Sequence, residues 1–413
     1  MLADPARRRQ LLFILLGALA LASALTGAVL GARESGEPAG DPVPQAGRSE
    51  PKTRVSFLAR IVPPPAARPE PRAQVGALPA GVIELTRRLP VERKVAQLFA
   101  FGFEGTDASA DIVDRLGGLG AGAVVVGPDN YADEAQLAAL TGSLRAAARR
   151  LPPFVLTSQE GGELNSLPGL PPSSPPADIA SAAQAGAEAL ASGRALRGLG
   201  VNGVLGPVVD VGPESGSALG ARVYSDDPEE VAAYARRTVE AYRTARVFSS
   251  AAHLPGLGGA DQATQEGPAT VGLELEQLRE RDLIPFEAAI AAGVPGVTLA
   301  HALYPFSDFT VPASLSRTVA TGLLRDELGF EGVALTDDLA DPAITTLYTV
   351  PDAAVEAVRA GADMIQVSGA PGEQQAAYVA VLQAVRSGRI PRARLDRAVG
   401  RILSVKRDYG LIR

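Results

Sequence analysis

From Val82 onward, short apolar runs alternate with longer amphipathic stretches, and this alternation constrains the fold more than any other feature of the chain. The runs fall at about Ala96–Phe101, Ala121–Val126, Phe154–Thr157, Gly203–Val209, Val247–Ala251, Gly296–Ala300, Gly332–Thr336 and Asp363–Val367. Each reads as a buried strand, and the stretches between them read as helices. Asp227-Pro228-Glu229-Glu230 supplies a cap, a proline at the first helical position and acidic residues in the first turn. Gly293, Gly329 and Gly361 stand where helices should stop. Strictly alternating strands and helices imply parallel strands joined by right-handed crossovers. Eight such units over some 320 residues predict one α/β domain, a (β/α)8 TIM-type barrel spanning about 81–413. No Gly-x-Gly-x-x-Gly motif follows the first run and no phosphate-loop Lys is present, which weakens nucleotide-binding alternatives.

The N-terminal part has a different character. Arg7, Arg8 and Arg9 precede an uncharged run from Leu11 to Ala32, long enough for a transmembrane helix. The arginines keep that end cytoplasmic and place everything downstream outside the membrane, anchored by residues 1–32. Ala22-Ser23-Ala24 supplies the competing reading, a cleaved signal peptide. Residues 33–80 are rich in Pro, Gly, Arg and Glu and read as a semi-extended linker, able to reach on the order of 100 Å if fully extended. Its one apolar patch is Val55–Val62.

Composition narrows the function classes. The chain has 39 basic and 46 acidic side chains, so it lacks the basic excess expected of a nucleic-acid partner. With no cysteine there is no thiolate nucleophile and no Cys-ligated metal. No cofactor is expected.

In a barrel of this kind, chemistry sits at the C-terminal ends of the strands. Polar residues just after the runs are Ser158-Gln159-Glu160, Asp210 with Arg222 in the loop beyond it, His253, His301 and Asp337-Asp338. Both histidines of the chain fall at such positions. Asp337 follows the buried run Val333-Ala334-Leu335-Thr336 and reads as a nucleophile or charge stabiliser aimed into the barrel mouth. Asp338 suits a cap on the following helix. A metal on this carboxylate pair is disfavoured because no His lies near it in sequence.

Six ordered stretches then carry a resemblance. They are Ser158-Gln159-Glu160-Gly161-Gly162, Gly206 to Asp210, His253-Leu254-Pro255-Gly256, Ala300-His301, Pro312 to Ser316, and Gly329 to Leu339. Together they resemble glycoside hydrolase family 3, above all its single-domain β-N-acetylglucosaminidases. The resemblance implies a retaining hydrolase of terminal β-linked N-acetylglucosamine. It implies Asp337 as nucleophile and Arg222 and His253 as substrate-binding residues, with His301 added from its position at the mouth.

Several positions depart from that family's pattern. Ala252 stands where the family has Lys, Leu257 where it has a second His, and Ser158 where it has Asp. Glu163 and Ser166 replace basic residues. The acid/base dyad, Asp-x-His on the loop after the fifth strand, is replaced by Ala263 and Gln265. Glu266 and Asp261 on the same loop offer carboxyls for a relocated acid, with Glu266 the better placed by sequence. Three readings follow: a glycosidase with a relocated acid, a catalytically silent glycan-binding or regulatory barrel, and a hydrolase of a sugar lacking the N-acetyl group. Without Trp, and with 5% aromatic residues, the chain suits small terminal sugars better than long polysaccharide. It is expected to be a monomer.

Overall fold

Eight parallel strands close into a barrel in the order β1 to β8, each hydrogen-bonded to its sequence neighbour and β8 returning to β1. They are β1 Phe99–Gly102, β2 Ala123–Val125, β3 Phe154–Thr157, β4 Gly203–Val204, β5 Phe248–Leu254, β6 Gly296–Leu299, β7 Val333–Asp338 and β8 Met364–Val367. This is a computed structural model, and it describes residues 78–307 and 311–413. The apolar run at Leu11–Ala32, the Val55–Val62 patch and all of the linker except residues 78–80 lie outside the described residues, and Ala80 already begins the helix Ala80–Arg88. Among the described residues no helix is long and apolar enough to cross a membrane.

Every expected run yields a strand, with corrected edges. Ala96 and Gln97 belong to the helix Val91–Gln97, whose buried end continues the apolar pattern of β1 and hides the change of element. The expected strand Gly203–Val209 is regular only at Gly203–Val204. Pro207 has no N–H to donate, so the ladder breaks there before Val209 N donates to Ala252 O at 2.7 Å. β5 and β7 extend further than the apolar pattern implies, to Leu254 and Asp338.

The crossover helices follow from local chemistry. Asp227 accepts hydrogen bonds from the Glu229 and Glu230 amides and opens the helix Pro228–Ala245. That helix buries Val231, Ala235, Val239 and Tyr242 along one face. It packs on the helix Ala182–Gly198, where a Cβ at Gly193 would come 2.7 Å from the Ala245 Cβ. The helix backbones approach closely because that side chain is missing.

Inside the barrel, Phe154 of β3 and Phe248 of β5 meet at 5.0 Å across β4, where a side chain at Gly203 would run into Leu156 and Phe248. The N-terminal floor is closed by Lys406, wholly buried on the helix Arg392–Asp408. Its ammonium donates to Gln97 Oε1 at 2.8 Å, and burial pushes its pKa down to about 7. At the same end Asp363, wholly buried just before β8, pairs with Arg325, Arg394 and Arg401 at 2.7, 3.1 and 3.3 Å. A second set of ionised groups gathers at the opposite rim.

Candidate active site

Two strand irregularities build this rim. The β5–β6 register shifts between Ala251 and Leu254, and the β7–β8 register shifts between Leu335 and Asp338. Such shifts bend a strand and re-aim its side chains. His253 and Asp337 lie within these segments, so both belong to strands rather than to the loops that follow them.

Asp210, His253 and Asp337 form a chain. His253 Nδ1 meets Asp210 Oδ2 at 2.7 Å, and its Nε2 lies 3.8 Å from Asp337 Oδ2. Asp210 Oδ1 also accepts from the Leu257 amide at 2.6 Å and the His253 amide at 3.2 Å. Asp210 therefore fixes both the imidazole and the backbone that carries it. Burial alone would favour neutral His253, but the charges of Asp210 and Asp337 outweigh it and raise its pKa. The same balance acts on Asp337. Burial would raise its carboxyl, and the charges of His253 and Arg222 overcome that effect and hold it below the usual carboxylate range. About a fifth of the side chain, 21%, stays exposed, which leaves the anion open to a ligand.

Arg222 stands on the strand-four loop, clamped by Glu160. Its Nε donates to Glu160 Oε2 at 2.7 Å and its Nη2 to Oε1 at 2.8 Å. This fork-to-carboxylate geometry orients the guanidinium. Burial opposes the charge, while Glu160, Asp337 and Asp210 keep it in place.

His301 holds the end of β7. Its Nε2 donates to the Asp338 carbonyl at 2.9 Å, and its Nδ1 accepts from the Ser314 hydroxyl at 2.8 Å. This is the neutral tautomer, in keeping with a pKa lowered chiefly by burial. Both ring nitrogens are thereby engaged within the protein. Asp338 is not a helix cap, contrary to the sequence expectation. Its Oδ1 accepts from the Ala340 and Ser368 amides at 3.0 and 3.1 Å, and its Oδ2 from Gln366 Nε2 at 3.3 Å. It ties β7 to β8 because the chain turns at Leu339 before any helix begins.

Asp337, His253, Arg222 and His301 thus come together. Glu266 does not join them: its side chain is exposed on the loop after β5, and among the described residues it enters no part of this network. Asp261 is also exposed and accepts from the Thr270 amide at 2.7 Å. The residue that does reach across is Gln265, whose Nε2 donates to Asp341 Oδ2 at 3.1 Å. Asp341 was not singled out from the sequence. In Asp341-Pro342 it looks like an ordinary helix start, and only its position four residues after Asp337 could have drawn notice.

The glycosyl hydrolase family 3 N terminal domain matches residues 90–405. A β-hexosaminidase of Xanthomonas oryzae pv. oryzae is 33% identical over 314 residues, covering 74% of this chain and 92% of that protein. The solved structure of a family 3 β-N-acetylglucosaminidase from Paenibacillus sp. str. FPU-7 superposes with a TM-score of 0.75 at 36% identity. That match covers 78% of this chain and 63% of the Paenibacillus chain, so this chain spans less than two thirds of that protein's length. A family 3 glycosyl hydrolase from Mycobacterium smegmatis superposes with a TM-score of 0.70 at 31% identity, covering 78% of this chain and 98% of its own. The family match extends over far more than half of the sequence, and the chain belongs to glycosyl hydrolase family 3.

Proposed function

We propose that this protein hydrolyses terminal β-linked N-acetylhexosamine residues with retention of configuration, using Asp337 as nucleophile. The observation that carries the proposal is the state of Asp337: a carboxylate kept anionic at the barrel mouth by His253 and Arg222, yet partly open to solvent. A group in that state can attack an anomeric carbon and form a glycosyl ester, which water then hydrolyses. Activity on N-acetylhexosaminides is supported by the similar β-hexosaminidases and β-N-acetylglucosaminidase.

Each neighbour takes a role. Arg222, steadied by Glu160, is placed to bind sugar hydroxyls. His253, steadied by Asp210, provides positive charge beside the nucleophile and a donor to the sugar ring. His301 acts by fixing the end of β7. The substitution of Ala252, Ala263 and Gln265 removes groups that the family pattern carries, so the proton donor must come from elsewhere on the rim. We place the domain outside the membrane, acting as a monomer and held by the Leu11–Ala32 run through the linker.

The experiment is turnover of aryl β-N-acetylglucosaminide and β-glucoside by the wild type and Asp337→Ala. Hydrolysis of the acetamido substrate that disappears in the variant is the expected result. Preference for the glucoside would move the substrate to sugars lacking the N-acetyl group. Absence of turnover above the variant on any sugar would favour a silent glycan-binding barrel.

A further inference from the structure

The loops after β5 and β7 are stitched together at the mouth. The Ala343 amide donates to Thr264 O at 3.0 Å, the Asp341 amide donates to Asp338 O at 2.9 Å, and Gln265 donates to the Asp341 carboxyl at 3.1 Å. These bonds hold Asp341 on the side of the barrel formed by the strands of His253 and Asp337. Its side chain is half-buried, and among the described residues no Lys or Arg pairs with it. The charged groups that act on it are Asp337, Asp338 and His253.

We propose that Asp341 is the acid/base catalyst of this site, with Gln265 as its positioning residue; this rests on the glycosidase reading above. The electrostatics fit the assignment. Burial, then repulsion from Asp337 and Asp338, push the carboxyl up to about 8 against the opposing effects of Gln265 and His253, so it carries a proton at neutral pH. In the first step the Asp341 proton moves to the glycosidic oxygen while an Asp337 oxygen bonds to the anomeric carbon. The glycosidic bond breaks, the alcohol leaves, and Asp341 becomes a carboxylate. The negative charge on Asp337 is consumed in the ester, which removes one source of the repulsion that raised Asp341. The new carboxylate is thereby stabilised at the stage where a base is needed. In the second step Asp341 takes a proton from water as the water oxygen attacks the anomeric carbon. The ester bond breaks, the sugar leaves, and both carboxyls return to their starting states. Glu266 is exposed and lies outside the network around Asp337.

The test compares wild type, Asp341→Asn, Asp341→Ala and Asp341→Glu on β-N-acetylglucosaminides with good (2,4-dinitrophenyl) and poor (alkyl) leaving groups, with and without azide. Asp341→Asn is expected to lose roughly 10²–10⁴-fold on the poor leaving group and far less on the good one. Asp341→Ala should form glycosyl azide with azide present, and Asp341→Glu should recover part of the poor-substrate rate. A loss equal on both leaving groups, with no azide product, would mean that Asp341 has only a structural role and would overturn the assignment. Azide rescue of Glu266→Gln in place of Asp341→Ala would give the role to Glu266. In both cases wild-type activity dependent on Asp337 leaves the glycosidase reading standing. If wild type shows no turnover above Asp337→Ala, that reading fails and takes this assignment with it.

Discussion

The end of β7 and the turn four residues beyond it each present a carboxyl at the barrel mouth, in opposite states. Asp337 is set beside His253 and Arg222, and these charges outweigh burial and keep it ionised. Asp341 has burial, two nearby carboxyls and a single amide for company, and it is pushed up to about 8. The same side chain is made anion in one place and acid in the other, and the difference comes from which charges the barrel sets beside it. Retaining glycoside hydrolysis needs such a pair.

The comparison can be broken most severely at Asp337. Asp337→Asn is expected to lower kcat/KM by roughly 10⁴-fold or more, as removal of a nucleophile does. It should also lower the Asp341 pKa, because repulsion from a neighbouring anion is gone. Steady-state kinetics and carboxyl NMR titration read the two effects. An unmoved Asp341 would separate the carboxyls.

Asp210→Asn strikes the support of the anionic side. His253 loses the charge that raises its pKa, and Asp337 then loses part of what keeps it ionised. The acidic limb of the kcat/KM profile should move to higher pH, with an activity loss of about 10²-fold at neutral pH. Removing one partner of a buried pair should also cost about 3 kcal/mol in denaturant unfolding.

Glu160→Gln leaves Arg222 without its clamp. KM should rise about tenfold, corresponding to roughly 1.4 kcal/mol of binding, with kcat changed much less. A drop confined to kcat would instead place Arg222 at the reacting centre.

The smallest expected effect sharpens the acid side. The wild-type kcat/KM profile should fall on its basic limb near 8, as Asp341 loses its proton. Gln265 favours the ionised form of Asp341 through its hydrogen bond, so Gln265→Leu should raise that carboxyl further and shift the basic limb to higher pH. A shift to lower pH would contradict the role given to Gln265.

The barrel was legible in the sequence because buried parallel strands are apolar throughout, and eight such runs stood out between helices. Strand ends at the mouth were not. β5 and β7 continue through His253 and Asp338, polar residues that an apolar pattern treats as the start of a loop. Asp337, His253 and Arg222 could be found from their positions after the runs and from the family motifs. Their partnerships could not, since Asp210–His253, Glu160–Arg222 and Gln265–Asp341 join residues 43, 62 and 76 positions apart. Proximity on the loop favoured Glu266 as the acid, whereas the folded chain brings Asp341, from another loop, to the amide at the replaced His position.

The most direct test of the central claim is to trap the nucleophile. Wild-type protein incubated with a fluorinated β-N-acetylglucosaminide bearing a good leaving group, then digested and analysed by mass spectrometry, should carry one sugar adduct on the peptide containing Asp337. Protein that turns over substrate but yields no adduct, or carries it on another residue, would contradict Asp337 as the nucleophile.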